Sequence, residues 1–236
     1  MNAARKSTLS YCYGLSIDSI LTSLWALEKA PSTLNSVRSK DVPISDKRAQ
    51  EEARSATHPP KPEGVHEQDL QIPSRASRII PVRIYSVVDE KSMPCQLFVM
   101  IHGGGFHMGG LSLKEEDCRR LVSTFQFVVI NVDYRLAPEY VWPAAVEDCW
   151  DVIIWECYIF IFYTKLRMLT SLKTVSNPAQ LNANLSAGFI VGGESAGANL
   201  CAVMSILALN QKLHPRITGL VLSIPSLVNP DYYLQG

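Results

Sequence analysis

The chain has no net charge, because 22 basic side chains balance 22 acidic ones. That leaves no electrostatic signal for nucleic acid or for an anionic membrane surface. It also has no Cys-x-x-Cys pair. Its cysteines, Cys12, Cys95, Cys118, Cys149, Cys157 and Cys201, are scattered. Such scatter argues against a disulfide framework or a zinc site and for a reducing, cytoplasmic setting. No apolar run is long enough for a membrane span. The longest, Val152 to Tyr163, is broken by Glu156, and a span needs about 20 apolar residues. No secretory leader is legible either, since Ser16, Asp18 and Ser19 interrupt the stretch after the basic Arg5 and Lys6.

What is present suits one large domain, or one domain with a small cap. Residues 1–65 read as a cap-like segment and linker. The apolar residues Ile17, Ile20, Leu21, Leu24 and Leu27 predict one amphipathic helix there, ended by Pro31. That helix is either a packing helix or a cap over a pocket. Residues 36–67 are polar and charged, with Pro59, Pro60 and Pro62 as breakers, which predicts a linker or surface loop. From residue 66 the pattern changes. Residues 68–73 and 79–88 read as a hairpin with one face partly wet. Continuous apolar runs at 96–101 and 127–132 and another before residue 193 read as buried strands, and 217–224 reads as a last strand that would leave an apolar sheet edge exposed. Helical patterns at 115–125, 143–155 and 198–210 separate them. Such alternation predicts an α/β fold with a mostly parallel sheet and helices on both faces, whose ligands bind beyond the carboxyl ends of the strands.

Two motifs sit at such ends. Gly193-Glu194-Ser195-Ala196-Gly197 follows a strand and opens a helix, the context in which a Gly-x-Ser-x-Gly sequence forms a nucleophile elbow. The helix start beneath Ser195 offers free N–H groups and a positive dipole end. Upstream, the strand ending at Ile101 runs into His102-Gly103-Gly104-Gly105-Phe106. Successive glycines can turn several N–H groups toward one point, as a phosphate cradle or an oxyanion hole. A phosphate loop needs Lys-Ser/Thr after the glycines, and none follows. Beside a nucleophile elbow the oxyanion hole is the better reading.

The motifs HGGGF at 102–106, DYRLAPE at 133–139, PAAVED at 143–148 and GESAGAN at 193–199 occur in that order. Together they resemble the hormone-sensitive-lipase-like branch of the α/β-hydrolases, over about residues 80–225. That branch includes microbial carboxylesterases, arylacetamide-deacetylase-like enzymes and the plant gibberellin receptors. The resemblance implies Ser195 as nucleophile and the backbone N–H groups of Gly103, Gly104 and Ala196 as oxyanion donors. It implies that His102 holds the glycine bend, that His107 is a loop residue near the pocket mouth, and that Asp133, Arg135 and Glu139 form a scaffold of buried polar contacts. Glu194 fills the variable position of the elbow and is not assigned as the triad acid. The implied activity is carboxylic ester hydrolysis on a small-molecule ester, with no metal or cofactor. Nothing in the sequence specifies an oligomeric state.

A Ser nucleophile needs a base, and the base an orienting acid. In this fold both follow the Ser, acid first. After Ser195 the sequence holds only His214, Asp231 and no Glu. His214 lies in the connector after the elbow helix, at the opposite edge of the sheet, and Asp231 sits in a turn. The resemblance implies two further strands carrying the acid and the base, so the 236 residues read as a C-terminally truncated hydrolase. Such a chain is expected to be inactive or weak, or to be an unstable fragment. The alternative is a non-catalytic small-molecule-binding module like the gibberellin receptors. A further departure is 156–173, which reads as a retained intron or as an apolar insertion forming a pocket-side helix.

Overall fold

The computed structural model of the chain describes residues 42–55, 57–87, 95–170 and 183–225, with the backbone alone at 55 and 162–170. The helix expected at 17–29, the polar stretch 174–181 and Asp231 lie outside the described residues. The elements named below all belong to one compact unit, Pro43–Gly236.

The expected hairpin is β1 (Val65–Pro73) paired antiparallel with β2 (Ile79–Val87). The remaining strands are β3 (Leu97–Ile101), β4 (Val128–Val132), β5 (Phe189–Glu194) and β6 (Gly219–Ser223). Their order across the sheet is β1-β2-β4-β3-β5-β6. β2 runs antiparallel to β4, and the β4-β3-β5-β6 block is parallel. Every residue of β3 and β4 is buried, as expected of strands covered on both faces. Each large apolar side chain so buried contributes about 2 kcal/mol. β3 and β5 are neighbours in register, Ile101 opposite Gly193. This pairing brings the ends of the two motif-bearing strands together.

One detail of the hairpin goes beyond the sequence reading. Tyr85, which shares a hairpin face with the partly exposed Arg83, is fully buried, because β2 is covered by α2 (Glu115–Phe125). α2 buries Cys118, Leu121, Val122 and Phe125, an i, i+3, i+4, i+7 stripe. Its first turn carries Glu115, Glu116 and Asp117, which suit the positive end of the helix. β6 forms the edge of the sheet among the described residues, with Leu220 and Ile224 exposed.

The stretch read as a linker contains a helix, α1 (Ile44–Ser55). Nothing in its apolar pattern announces it. Its support is polar: Asp46 in the first turn, Arg54 in the last, and an Arg54–Glu51 pair at 2.7 Å. Arg48 fastens it to the core. Its guanidinium donates to His107 O at 2.9 Å, Ala137 O at 2.8 Å and both carboxylate oxygens of Glu139. We expect Arg48→Ala to raise amide exchange across residues 44–55 with little effect on the protection of β3 and β5. Equal protection of α1 in both chains would contradict this docking role.

The helix expected to end near Trp155 continues as α3 (Ala144–Thr170). Residues 156–170 therefore extend a core helix rather than form a separate element. Of its buried acidic residues, Asp148 accepts two-pronged hydrogen bonds from Arg135 at 2.7–3.0 Å. Asp151 pairs with Arg75 in the hairpin turn. Glu156 is 1% exposed, and its Oε1 has no hydrogen-bond partner. Burial pushes its carboxyl up to about 8. The five cysteines among the described residues are buried. Among these residues no helix is long and apolar enough to cross a membrane.

Candidate active site

The site is built where β3 and β5 end. After β5 the chain turns through Ser195 at φ 51° and ψ −114° into α4 (Ala196–Asn210). A positive φ at a non-glycine residue is strained, and here the surroundings hold it. Ser195 N donates to Ser223 O at the end of β6 (2.9 Å), and Ser195 O accepts from Asn199 N (3.0 Å). The flanking glycines permit close approach. A Cβ on Gly197 would lie 2.5 Å from His102 O, and one on Gly193 2.7 Å from the Gly197 carbonyl carbon. Elbow and β3 are thus in backbone contact.

The glycine bend lies against this elbow. Gly104 has φ +106°, and its carbonyl accepts from His107 N (3.2 Å) and Met108 N (2.9 Å), closing a tight turn. At Gly103 a Cβ would lie 2.9 Å from Glu194 O and 3.6 Å from Ser195 Cβ. Gly103 therefore lies directly against Glu194 and the Ser195 side chain. Ala196 opens α4, so its N–H lacks an intrahelical partner. A helix N-terminus carries the positive end of the helix dipole.

His102 is completely buried. Its Nδ1 lies 2.7 Å from Gly103 O. A carbonyl only accepts, so the proton sits on Nδ1. The ring stacks on Tyr134 with centroids 4.2 Å apart, and the Tyr134 hydroxyl donates to His102 O at 2.9 Å. Burial pushes the imidazole down to about 4, the Gly103 hydrogen bond opposes this, and the nearby Lys114 charge adds to it. His102 is thus neutral near pH 7 and braces the bend. Tyr134, inside the motif at 133–139, was not singled out from the sequence, where a lone Tyr at a strand end carries no signal of what it supports.

The other sequence-predicted residues divide. Arg135 pairs with Asp148 as a buried scaffold contact, whereas Glu139 is exposed and holds Arg48 instead. Asp133 is half-buried and makes no side-chain hydrogen bond among the described residues. Its carboxyl is pushed up by burial, with Asp148 and Glu52 adding to the effect. His107 is in the loop, with Nδ1 2.8 Å from Gly105 O. His214 follows the far end of α4, where Leu213 N bonds to Ala208 O. A helix of that length runs roughly 20 Å, so His214 is not at Ser195. The Ser195 hydroxyl makes no hydrogen bond to a described residue. A cleft of about 710 Å³ opens beside the bend, walled by Gly109, Gly110, Asp133, Glu52, His58 and Arg119. Ser195 does not line it. Among the described residues no cluster of His, Cys, Asp and Glu is spaced to hold a metal ion.

A family model for the alpha/beta hydrolase fold matches residues 98–233, more than half of the chain. The chain belongs to the α/β-hydrolases, in their hormone-sensitive-lipase-like branch. The chain is 33% identical over 171 residues to an AB hydrolase superfamily protein of Schizosaccharomyces pombe, covering 72% of this chain and 45% of that protein. It is 35% identical over 130 residues to carboxylesterase NlhH of Mycobacterium tuberculosis, covering 55% of this chain and 34% of that one. Among solved structures, an esterase of Pyrobaculum calidifontis superposes with a TM-score of 0.57 at 32% identity, covering 73% of this chain and 50% of that one. The chain thus spans half or less of the length of these relatives.

Proposed function

We propose that this hydrolase acts on carboxylic esters through Ser195, with the N–H groups of Gly103, Gly104 and Ala196 as oxyanion donors. The observation that carries the reading is the contact between the Gly103 bend and the Ser195 elbow. Ser195 Oγ attacks the ester carbonyl. The carbonyl oxygen gains negative charge and is held by the bend and helix amides, each donor worth about 3–4 kcal/mol in such sites. The alcohol leaves, and water then releases the acid from the acyl-serine. His102, neutral and stacked on Tyr134, keeps the Gly103 carbonyl turned away from the developing charge. The relatives named as carboxylesterase and esterase support this reaction class.

Full turnover also needs a base and an orienting acid. No histidine among the described residues hydrogen-bonds the Ser195 hydroxyl, so the 236-residue chain by itself is expected to be a weak catalyst. The same observation favours a second reading, a small-molecule-binding module that keeps the site without turnover. Hydrolysis of p-nitrophenyl acetate by the folded chain, compared with Ser195→Ala, separates the two. Slow release of p-nitrophenol that Ser195→Ala abolishes supports the esterase. Saturable binding of an ester analogue with no Ser195-dependent release supports the module.

A further inference from the structure

The glycine bend and the elbow touch through backbone, but one side chain also joins them. Lys114 ends the loop that begins at the bend and stands immediately before α2. Its ammonium pairs with the carboxylate of Glu194 and with Asp117 at 3.0 Å. Glu194 is the last residue of β5 and the one directly before Ser195. Its carbonyl is the group against which Gly103 packs. Both the main chain and the side chain of Glu194 are therefore held by the segment 103–114.

The pair is well placed to be stiff. The Lys114 side chain is 15% exposed. Burial works against its charge, but Asp117 and Glu194 outweigh burial and leave the amine more basic than an ordinary lysine. It therefore stays protonated and cannot serve as a base. Removing Lys114 leaves the part-buried Glu194 carboxylate without this partner. That charge would pull Glu194, and with it the strained φ of Ser195, out of register with the bend.

We infer that Lys114 is a positioning residue for Ser195: its ion pair with Glu194 sets the elbow against the glycine bend. The inference rests on the proposed nucleophile role of Ser195. It attributes to Lys114 no contact with substrate.

The test is a double-mutant cycle on the full chain with Lys114→Met, Glu194→Gln and both, plus Lys114→Arg and Ser195→Ala. Two quantities are read: the Ser195-dependent rate with p-nitrophenyl acetate, as kcat and KM, and the thermal midpoint. We expect Lys114→Met and Glu194→Gln each to lower kcat about 10-fold or more with KM nearly unchanged. The double variant should be no slower than the worse single one, and Lys114→Arg should recover most of the rate. A kcat for Lys114→Met equal to the parent, or losses that multiply in the double variant, overturns the inference. If Lys114→Met fails to fold, Glu194→Gln, nearly the same shape, reads the same coupling against Lys114→Arg. Failure of the nucleophile reading looks different: Ser195→Ala then matches the parent, and the positioning role falls with it.

Discussion

Gly197→Ala is expected to cost about 3 kcal/mol or more, a large share of the roughly 5–15 kcal/mol that keeps an ordinary domain folded. The added Cβ would lie 2.5 Å from His102 O and closer still to Ile101 O. Both are backbone atoms at the end of β3, and β3 is paired on each side. They cannot rotate away as a side chain would. The helix α4 must lift off the sheet, which strips Leu200, Cys201 and Met204 from the core they now complete. Gly64→Ala is the control. Gly64 has φ +78° but nothing within 4 Å of its missing Cβ, so only local strain of about 1 kcal/mol is added. Urea unfolding, read as a shift in midpoint at constant slope, distinguishes the two. Equal small shifts would mean that elbow and β3 are not in the contact described.

The second large effect is on pH dependence. Glu156 has its carboxyl raised from 4.5 to about 8 by burial alone. In the folded chain it keeps its proton where the unfolded chain has lost it. Its contribution is therefore fully present below about 4.5 and lost as pH rises to about 8, after which it is flat. At about 1.4 kcal/mol per pH unit the loss amounts to a few kcal/mol. His102 runs the other way. Its imidazole is lowered from 6.5 to about 4 by burial, against the Gly103 hydrogen bond and with the Lys114 charge. The unfolded chain binds a proton first, so stability falls as pH drops from about 6.5 to 4. Between about 4.5 and 6.5 the two slopes oppose each other, and the net fall appears between about 6.5 and 8. Glu156→Leu should remove that fall, stabilise the chain at pH 8 by a few kcal/mol, and expose the His102 slope below pH 6.5. Urea midpoints at pH 5, 6.5 and 8 for both chains measure this. A parent midpoint that rises from pH 6.5 to 8 would contradict a buried, unpaired carboxyl.

How much of this was legible beforehand follows from the kind of signal each part carries. The run Leu97–Ile101 and the two glycine motifs announce themselves, since burial on both faces and close backbone approach leave few residue types that fit. Their juxtaposition follows from parallel pairing of β3 with β5. α1 was missed because it is held by charges, Arg48 above all, and a polar helix has no apolar period to read. Residues 156–170 were read as an intron or a separate pocket-side helix, and not as a continuation of α3, for the opposite reason. Cys157 to Tyr163 is apolar all round, so its period vanishes, and Glu156 before it reads as a break. Lys114 and Glu194 lie 80 residues apart, and no local pattern links them. The burial of Tyr85 was not legible because alternation says which side a residue is on, not whether a helix covers that side.

The central claim is that Ser195 is a reactive nucleophile facing the amides of the glycine bend. Its most direct measurement is peptide mass spectrometry of the folded chain after prolonged exposure to a fluorophosphonate. In that reaction the serine oxygen displaces fluoride at phosphorus and leaves one added phosphonyl group per chain. The account predicts a single adduct, located at Ser195, absent in Ser195→Ala and slowed by Gly104→Ala, whose Cβ would lie 2.6 Å from the Met108 carbonyl carbon and distort the bend. An adduct on another serine, or a folded chain that stays unmodified, would contradict it.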